Sequence, residues 1–251
     1  MSALGPRAGA RIAVVGAGGG IGRALVGALV EAGCEVAALD LAGPLEALEG
    51  AAERHALDVA DAGAVATAFA ALGAGGKGLD GLVNLAGFTA PRSPAEETDE
   101  AVWDEVVAAN LRGAWLVARA GLPLLRQCPG SSLVNTATGL AFRAAPGYAP
   151  YSAAKAGVVA LTRTLALEAA PGVRVNAVAP GAVQTPFLTG GTGRAENDGL
   201  RFDVAAYAAS VPLARIAEPA DVVGPILFLL GPGSRYMTGQ VRLVNGGLYM
   251  G

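Results

Sequence analysis

The sequence predicts an α/β fold, a doubly wound parallel sheet with helices on both faces. Three observations predict it. Short apolar runs alternate with longer Ala-rich helical stretches along the whole chain. The runs are continuously apolar, as strands covered on both faces must be. A glycine cluster, Gly16–Gly22, stands between the first run and the first helical stretch, the setting of a nucleotide-binding turn.

Taken in order, Arg11–Val15 (RIAVV) reads as a buried strand and Ile21–Ala32 as a helix. Glu35–Leu39 is the next strand, with a helix near Pro44–Ala51. Arg54–Leu57 is a short strand and Ala62–Leu72 a helix. Gly81–Leu85 is the fourth strand. A long helical pattern follows from Thr98 to about Arg126, with a break expected at Pro123, which removes a backbone donor. Ser132–Asn135 is the fifth strand, Ser152–Ala169 a helix and Gly172–Ala179 the sixth strand. Pro219–Leu230 is helical and Val241–Val244 a final strand, which makes about seven strands. Right-handed crossovers wind such a chain in both directions from its first strand. Pro186–Val211 fits no element; long Gly-rich polar stretches of this kind serve as lids or stay disordered.

Composition narrows the function. The chain has 251 residues, 53% hydrophobic and 16% charged, so charge-driven disorder is excluded. Neither a linker nor a repeat divides it, and one domain over residues 1–251 is expected. The net charge is −3 with no basic block, which argues against nucleic acid. Cys34, Cys128 and the single His55 match no zinc spacing and no disulfide framework, so no metal is expected. With no apolar leader and no spanning segment, the expectation is a cytoplasmic protein with no membrane partner.

In the glycine cluster, missing side chains permit a tight turn and let backbone amides approach a pyrophosphate at a helix N-terminus. Asp40 ends the second strand, 18 residues after Gly22, near the position of a ribose-binding acid. A carboxylate there accepts from ribose hydroxyls and repels a 2′-phosphate. Gly16–Gly22 and Leu41 carry no cation, so NAD is favoured over NADP. Further along, Tyr151 and Lys155 stand four apart at a helix start and share one face. A phenol is a poor base near neutrality. A neighbouring ammonium favours its ionised form, and the phenol can then exchange a proton with an alcohol or ketone oxygen. Tyr148 has no Lys four residues on and serves as the internal contrast.

Together these residues resemble the short-chain dehydrogenase/reductase family, in its single-domain branch, over nearly the whole chain. Gly16, Gly20, Ile21 and Gly22 match that family's cofactor loop, with Gly19 inside it. Asn84, Ala86 and Gly87 are similar to its N-N-A-G segment, Asp58 and Val59 to the pair beside the adenine, and Asp40 with Leu41 to the adenosine-ribose position. Pro180, Gly181, Val183 and Thr185 resemble the segment closing over the nicotinamide, and Asn245-Gly246-Gly247 the C-terminal D-G-G. Asn110 matches a helix Asn that holds a relay water, and Tyr151 and Lys155 match the catalytic pair. Three positions depart from the pattern: Val15 for Thr, Leu85 for the second Asn, and Thr138 for the catalytic Ser. Thr138 lies 13 residues before Tyr151 and keeps a hydroxyl; its methyl restricts χ1 and takes pocket space.

The resemblance implies a Rossmann fold, an NAD cofactor and interconversion of a secondary alcohol and a ketone. It assigns catalysis to Asn110, Thr138, Tyr151 and Lys155. It also implies a homotetramer through the helices of Thr98–Arg126 and Ser152–Ala169. Substrate contacts are expected from Thr138, Phe142, Tyr148, Tyr151, Phe187 and Leu188, with Phe88, Arg143, Phe202 and Tyr207 nearby. This mostly apolar set points to a hydrophobic cyclic or aromatic alcohol, while Arg143 either meets a carboxylate or is simply solvated. Three alternatives stay open: an NADPH-linked 3-oxoacyl reductase, a catalytically impaired binding protein on the same fold, and a methyltransferase supported by the glycine loop alone.

Overall fold

The computed structural model describes residues 4–191 and 202–251. Seven strands form one sheet in the order β3-β2-β1-β4-β5-β6-β7, and every pairing is parallel. The strands are β1 (Arg11–Val15), β2 (Glu35–Asp40), β3 (Glu53–Ala56), β4 (Gly81–Asn84), β5 (Ser131–Thr136), β6 (Val173–Pro180) and β7 (Val241–Val244). The helices are α1 (Gly20–Glu31), α2 (Ala42–Glu46), α3 (Ala62–Leu72), α4 (Glu100–Val107), α5 (Gly113–Leu125), α6 (Ala149–Ala169), α7 (Val204–Ser210) and α8 (Pro219–Leu230).

The strand period of two sorts β1 between two cores. Ile12 and Val14 pack with Leu25 and Leu29 of α1 and with Ile226 and Leu229 of α8. Ala13 and Val15 pack on the other face with Phe69 of α3, Val117 of α5 and Leu165 of α6. Both faces are therefore covered, which is why these strands read as unbroken apolar runs.

Several boundaries differ from the sequence reading, each for a local reason. The helix expected near Pro44–Ala51 is the shorter α2, which begins at Ala42 and stops at Glu46. Arg23 and Arg54 take the carbonyls of Ala47 and Leu48, and Gly50 turns the chain at φ 82°. Helix α6 begins a turn before Ser152, because Pro150 sits at its start, where a missing N–H costs nothing.

Pro123 does not break its helix; it lies inside α5, two residues from the end. The interruption is at Ala108–Arg112, a wide turn of π type. The Asn110 amide nitrogen donates to the carbonyl of Val106 at 2.9 Å and to that of Phe88 at 2.8 Å. A side chain has taken a backbone acceptor, and such widened turns often mark functional sites. Within Pro186–Val211, a short 3-10 turn (Pro186–Thr189) and α7 flank residues 192–201, so the middle of the expected lid lies outside the described residues.

Candidate active site

Parallel strands end on one edge of the sheet, and the strand order reverses between β1 and β4. A crevice forms outside the strand ends at such a point. The segment after β1 turns at Gly16 with φ 81°, and a Cβ there would stand 2.8 Å from the amide of Ala86. Only glycine lets the loops after β1 and β4 come this close. Across the crevice, a Cβ on Gly20 would meet the Thr185 methyl at 2.5 Å, so the segment after β6 lies on the start of α1.

Asp40 closes one end of the crevice. Its carboxylate accepts from the amide of Gly18 at 2.8 Å and from that of Leu41 at 2.7 Å. Burial pushes its pKa up, while these two amides and the nearby Arg23 pull it back. Arg23 was not singled out by the sequence. Its guanidinium donates to the carbonyls of Gly18, Pro44 and Ala47 at 2.8, 3.1 and 2.7 Å.

At the other end, Tyr151 and Lys155 project from the first two turns of α6 and are almost fully buried. The Lys155 ammonium donates to the carbonyl of Thr136 at 2.9 Å and sits 5.9 Å from the centre of the Tyr151 ring. Burial lowers Lys155 to about 8. The sequence reading expects that cation to lower the Tyr151 pKa. Burial dominates instead, and the phenol is pushed above its usual range. A hydrogen bond from the buried Thr138 side chain works in the opposite direction. Thr138 caps the turn Gly139–Ala141, its oxygen 3.4 Å from the amide of Leu140.

One cavity of about 560 Å³ joins the two ends. Its wall includes Gly16, Gly19, Gly20, Ile21, Gly22, Asp40, Leu41, Asp58, Val59, Ala86, Gly87, Pro180, Gly181, Val183 and Thr185. It also includes Thr138, Tyr148, Tyr151, Lys155, Phe187 and Leu188, with Phe88, Arg143, Phe202 and Tyr207.

Three expected residues lie behind this wall. Asn84 is buried and accepts from the amide of Ala86 at 3.2 Å, shaping the turn after β4. Asn110 is buried next to Lys155 and Gly87; its side-chain oxygen has no hydrogen-bond partner. Phe142, expected to touch substrate, stacks on Tyr249 at 5.9 Å and packs against the small apolar cluster of Ala137, Val159 and Ala179. Its ring is drawn off by that apolar patch, and Tyr249 lines the cavity instead.

Arg92, Leu248 and Tyr249 are wall residues the sequence reading missed. Arg92 sits in an unpatterned Pro-Arg-Ser-Pro stretch; Tyr249 follows the recognised Asn245-Gly246-Gly247 by two residues, the one available signal.

The profile of the enoyl-(acyl carrier protein) reductase family matches residues 16–249. Cis-4-hydroxycyclohexanecarboxylate dehydrogenase of Sinomonas cyclohexanicum is 36% identical over 247 residues, covering 94% of this chain and 96% of that protein. The chain is a short-chain dehydrogenase/reductase. A 3-oxoacyl-[acyl-carrier-protein] reductase of Thermotoga maritima is 32% identical over 94% of this chain and 96% of its own length. The crystal structure of a Brucella melitensis short-chain dehydrogenase/reductase, described as glucose/ribitol dehydrogenase, superposes with a TM-score of 0.88. It is 30% identical and covers 98% of this chain and 99% of its own.

Membership of this family makes the chain an oxidoreductase that works with NAD(P). Its residues fit that group. The first turn of α1 offers free amides to a pyrophosphate, and the bare Gly16 and Gly20 leave room beside them. The orphaned Asn110 oxygen and the buried Lys155 ammonium offer polar partners at the far end. Among the described residues, no three His, Cys, Asp or Glu side chains gather as a metal site, and no helix is long and apolar enough to cross a membrane.

Proposed function

We propose that this short-chain dehydrogenase/reductase is an NAD(H)-dependent enzyme interconverting a hydrophobic ring alcohol and its ketone. The observation that carries the reading is the buried convergence of Tyr151, Thr138 and Lys155 at one end of a cavity whose other end is closed by Asp40. The carboxylate of Asp40 disfavours a 2′-phosphate, and each nitrogen of nearby Arg23 already donates to a backbone carbonyl. NAD therefore suits the site better than NADP. The apolar wall at Phe88, Phe187, Leu188 and Phe202 favours a ring, in keeping with the name of the cyclohexane-type relative.

A nicotinamide bound there would supply hydride exchange with the carbinol carbon. The chain supplies the rest. Tyr151 exchanges the proton of the reacting oxygen. Thr138 donates to that oxygen and orients it. Lys155 holds its charge beside the phenol and offsets the cost of forming the phenolate. The free oxygen of Asn110 holds a water that connects Lys155 to solvent. Because burial keeps the phenol protonated, the resting site is set for reduction near neutrality, and oxidation gains as pH rises. Phe187, 6.0 Å from the Tyr151 ring, helps keep water away.

We read the chain as one nucleotide-binding domain that works in the cytoplasm as a homotetramer. Its expected contact helices expose large apolar side chains, Trp103, Trp115 and Leu167. The similarity to 3-oxoacyl reductases favours a second reading, an NADPH-linked acyl reductase. The deciding experiment is oxidation of a panel of cyclic secondary alcohols with NAD, comparing wild type and Tyr151→Phe. The expected result is turnover that falls at least about a thousandfold in the variant while NADH binding persists. Turnover of a 3-oxoacyl thioester with NADPH alone would replace this reading with the second.

A further inference from the structure

The charges on the cavity wall are segregated. Its acids among the described residues, Asp40 and Asp58, stand at the end under β2 and β3. At the opposite end, where Tyr148 and Tyr151 lie, the described wall carries Arg92 and Arg143 and no carboxylate. Neither arginine forms an ion pair among the described residues. Lys155, beside Tyr151, is already held by the carbonyl of Thr136.

Arg92 is held in place by more than its own chain. Its Nε donates to the Tyr148 hydroxyl at 2.7 Å, and its guanidinium carbon lies 4.9 Å from that ring's centre. The next amide, Ser93, donates to the carbonyl of Gly147 at 3.3 Å. Gly147 has φ 83°, and a Cβ there would come within 3.0 Å of the Arg92 Cβ. Two segments distant in sequence are thus clamped together. The clamp uses one edge of the guanidinium and leaves its two terminal nitrogens without a recorded acceptor. The Tyr148 oxygen accepts that bond and so keeps its own proton to donate. Arg143 leaves the turn that Thr138 caps, its amide bonded to the carbonyl of Gly139 at 2.9 Å.

We propose that the alcohol bears a carboxylate, bound by the terminal nitrogens of Arg92 and the Tyr148 hydroxyl, with Arg143 of the same wall adding charge. A planar fork with two parallel donors is the geometry that holds a carboxylate bidentately. Tyr148 immediately precedes α6 and Tyr151 lies in its first turn, so the anion site and the reacting oxygen belong to the same end of that helix. Phe88, Phe187 and Leu188 line the same cavity, which suits a ring alcohol that also carries an acid. This assignment rests on the oxidoreductase reading for the identity of the reacting end only.

The probes are 4-oxocyclohexanecarboxylate and its methyl ester, with 4-hydroxycyclohexanecarboxylate and its ester as the alcohols. Calorimetry on the NAD-bound protein measures binding of the ketones without turnover; NAD-linked assays measure oxidation of the alcohols. The expected result is acid binding at least about 30-fold tighter than ester in wild type, the size of one charge-assisted bidentate contact. Arg92→Gln brings that ratio close to one, Arg92→Lys keeps part of it, and Arg143→Gln lowers it less than Arg92→Gln does. Acid preference in binding without any oxidation would retain the anion site and reject the alcohol reading. Oxidation of both alcohols with no acid preference, an unchanged ratio in Arg92→Gln, or no binding of either ketone would overturn the site.

Discussion

The Asp40 carboxylate accepts a hydrogen bond from the Gly18 amide at 2.8 Å, joining the end of β2 to the loop after β1. The residue proposed to choose the cofactor therefore also shapes the loop that cradles it. Replacing Asp40 with Ala removes the repulsion of a 2′-phosphate and one tether of that loop. The NADPH-to-NADH ratio of kcat/KM is expected to rise at least about tenfold, mostly through a weaker KM for NADH. Steady-state kinetics with both cofactors checks this; tight NADPH use by wild type would count against it.

Thr138 gives the second prediction. Its hydroxyl is the functional part and its methyl is incidental to proton chemistry. Thr138→Ser is expected to keep kcat within about threefold, and Thr138→Ala to lose about a hundredfold, the usual size of one lost donor to a developing oxyanion. A Ser variant far faster than wild type would mean that the methyl obstructs the site.

Lys155 links the site to stability. Its folded pKa of about 8 lies below the ordinary 10.5, because burial penalises the charge. Below pH 8 the group is protonated folded and unfolded, so the penalty is fully present. As pH climbs from 8 towards 10.5 the folded protein sheds the proton first and stability rises, by up to about 3 kcal/mol. Above that range the penalty is gone. Lys155→Met is expected to unfold at a higher urea concentration than wild type at pH 7, with the gap closing by pH 10, and to have lost turnover. Parallel urea curves at both pH values are the check.

Gly87 gives the fourth. Its φ of 150° is one that side chains rarely adopt, and a Cβ would collide with the Asn110 oxygen and approach the Lys155 ammonium at 3.2 Å. Gly87→Ala is expected to cost about 1–3 kcal/mol in unfolding and to lower turnover by displacing both groups. A variant with native stability and activity would mean that the loop after β4 can give way.

The sheet was the most legible part of this chain, because burial on both faces leaves its mark in each strand separately. Arg11–Val15 and Val241–Val244 coincide with β1 and β7. That the glycine loop, Asp40, Tyr151 and Lys155 would meet at one cavity was legible for a similar reason: residue type and short sequence spacing marked each position. The π turn was not, since it depends on Asn110 finding the Phe88 carbonyl, which only the folded chain brings near. Arg92 was hidden for the same reason; Gly147 and Tyr148, more than fifty residues away, bring it to the cavity. Phe142 shows the converse, a ring in a promising stretch whose destination was decided by a stack with Tyr249.

All six strand pairings are parallel, so no neighbouring strands are joined by a hairpin. β1 must find β4 some seventy residues downstream before the crevice between their ends exists. Contacts this distant carry a large closure entropy and slow the search. The glycine loop and Asp40 meet within residues 11–40, but the whole crevice needs strands from across the chain. On dilution from denaturant, secondary structure is therefore expected to return before catalysis does, and recovered turnover will report completion of the whole sheet.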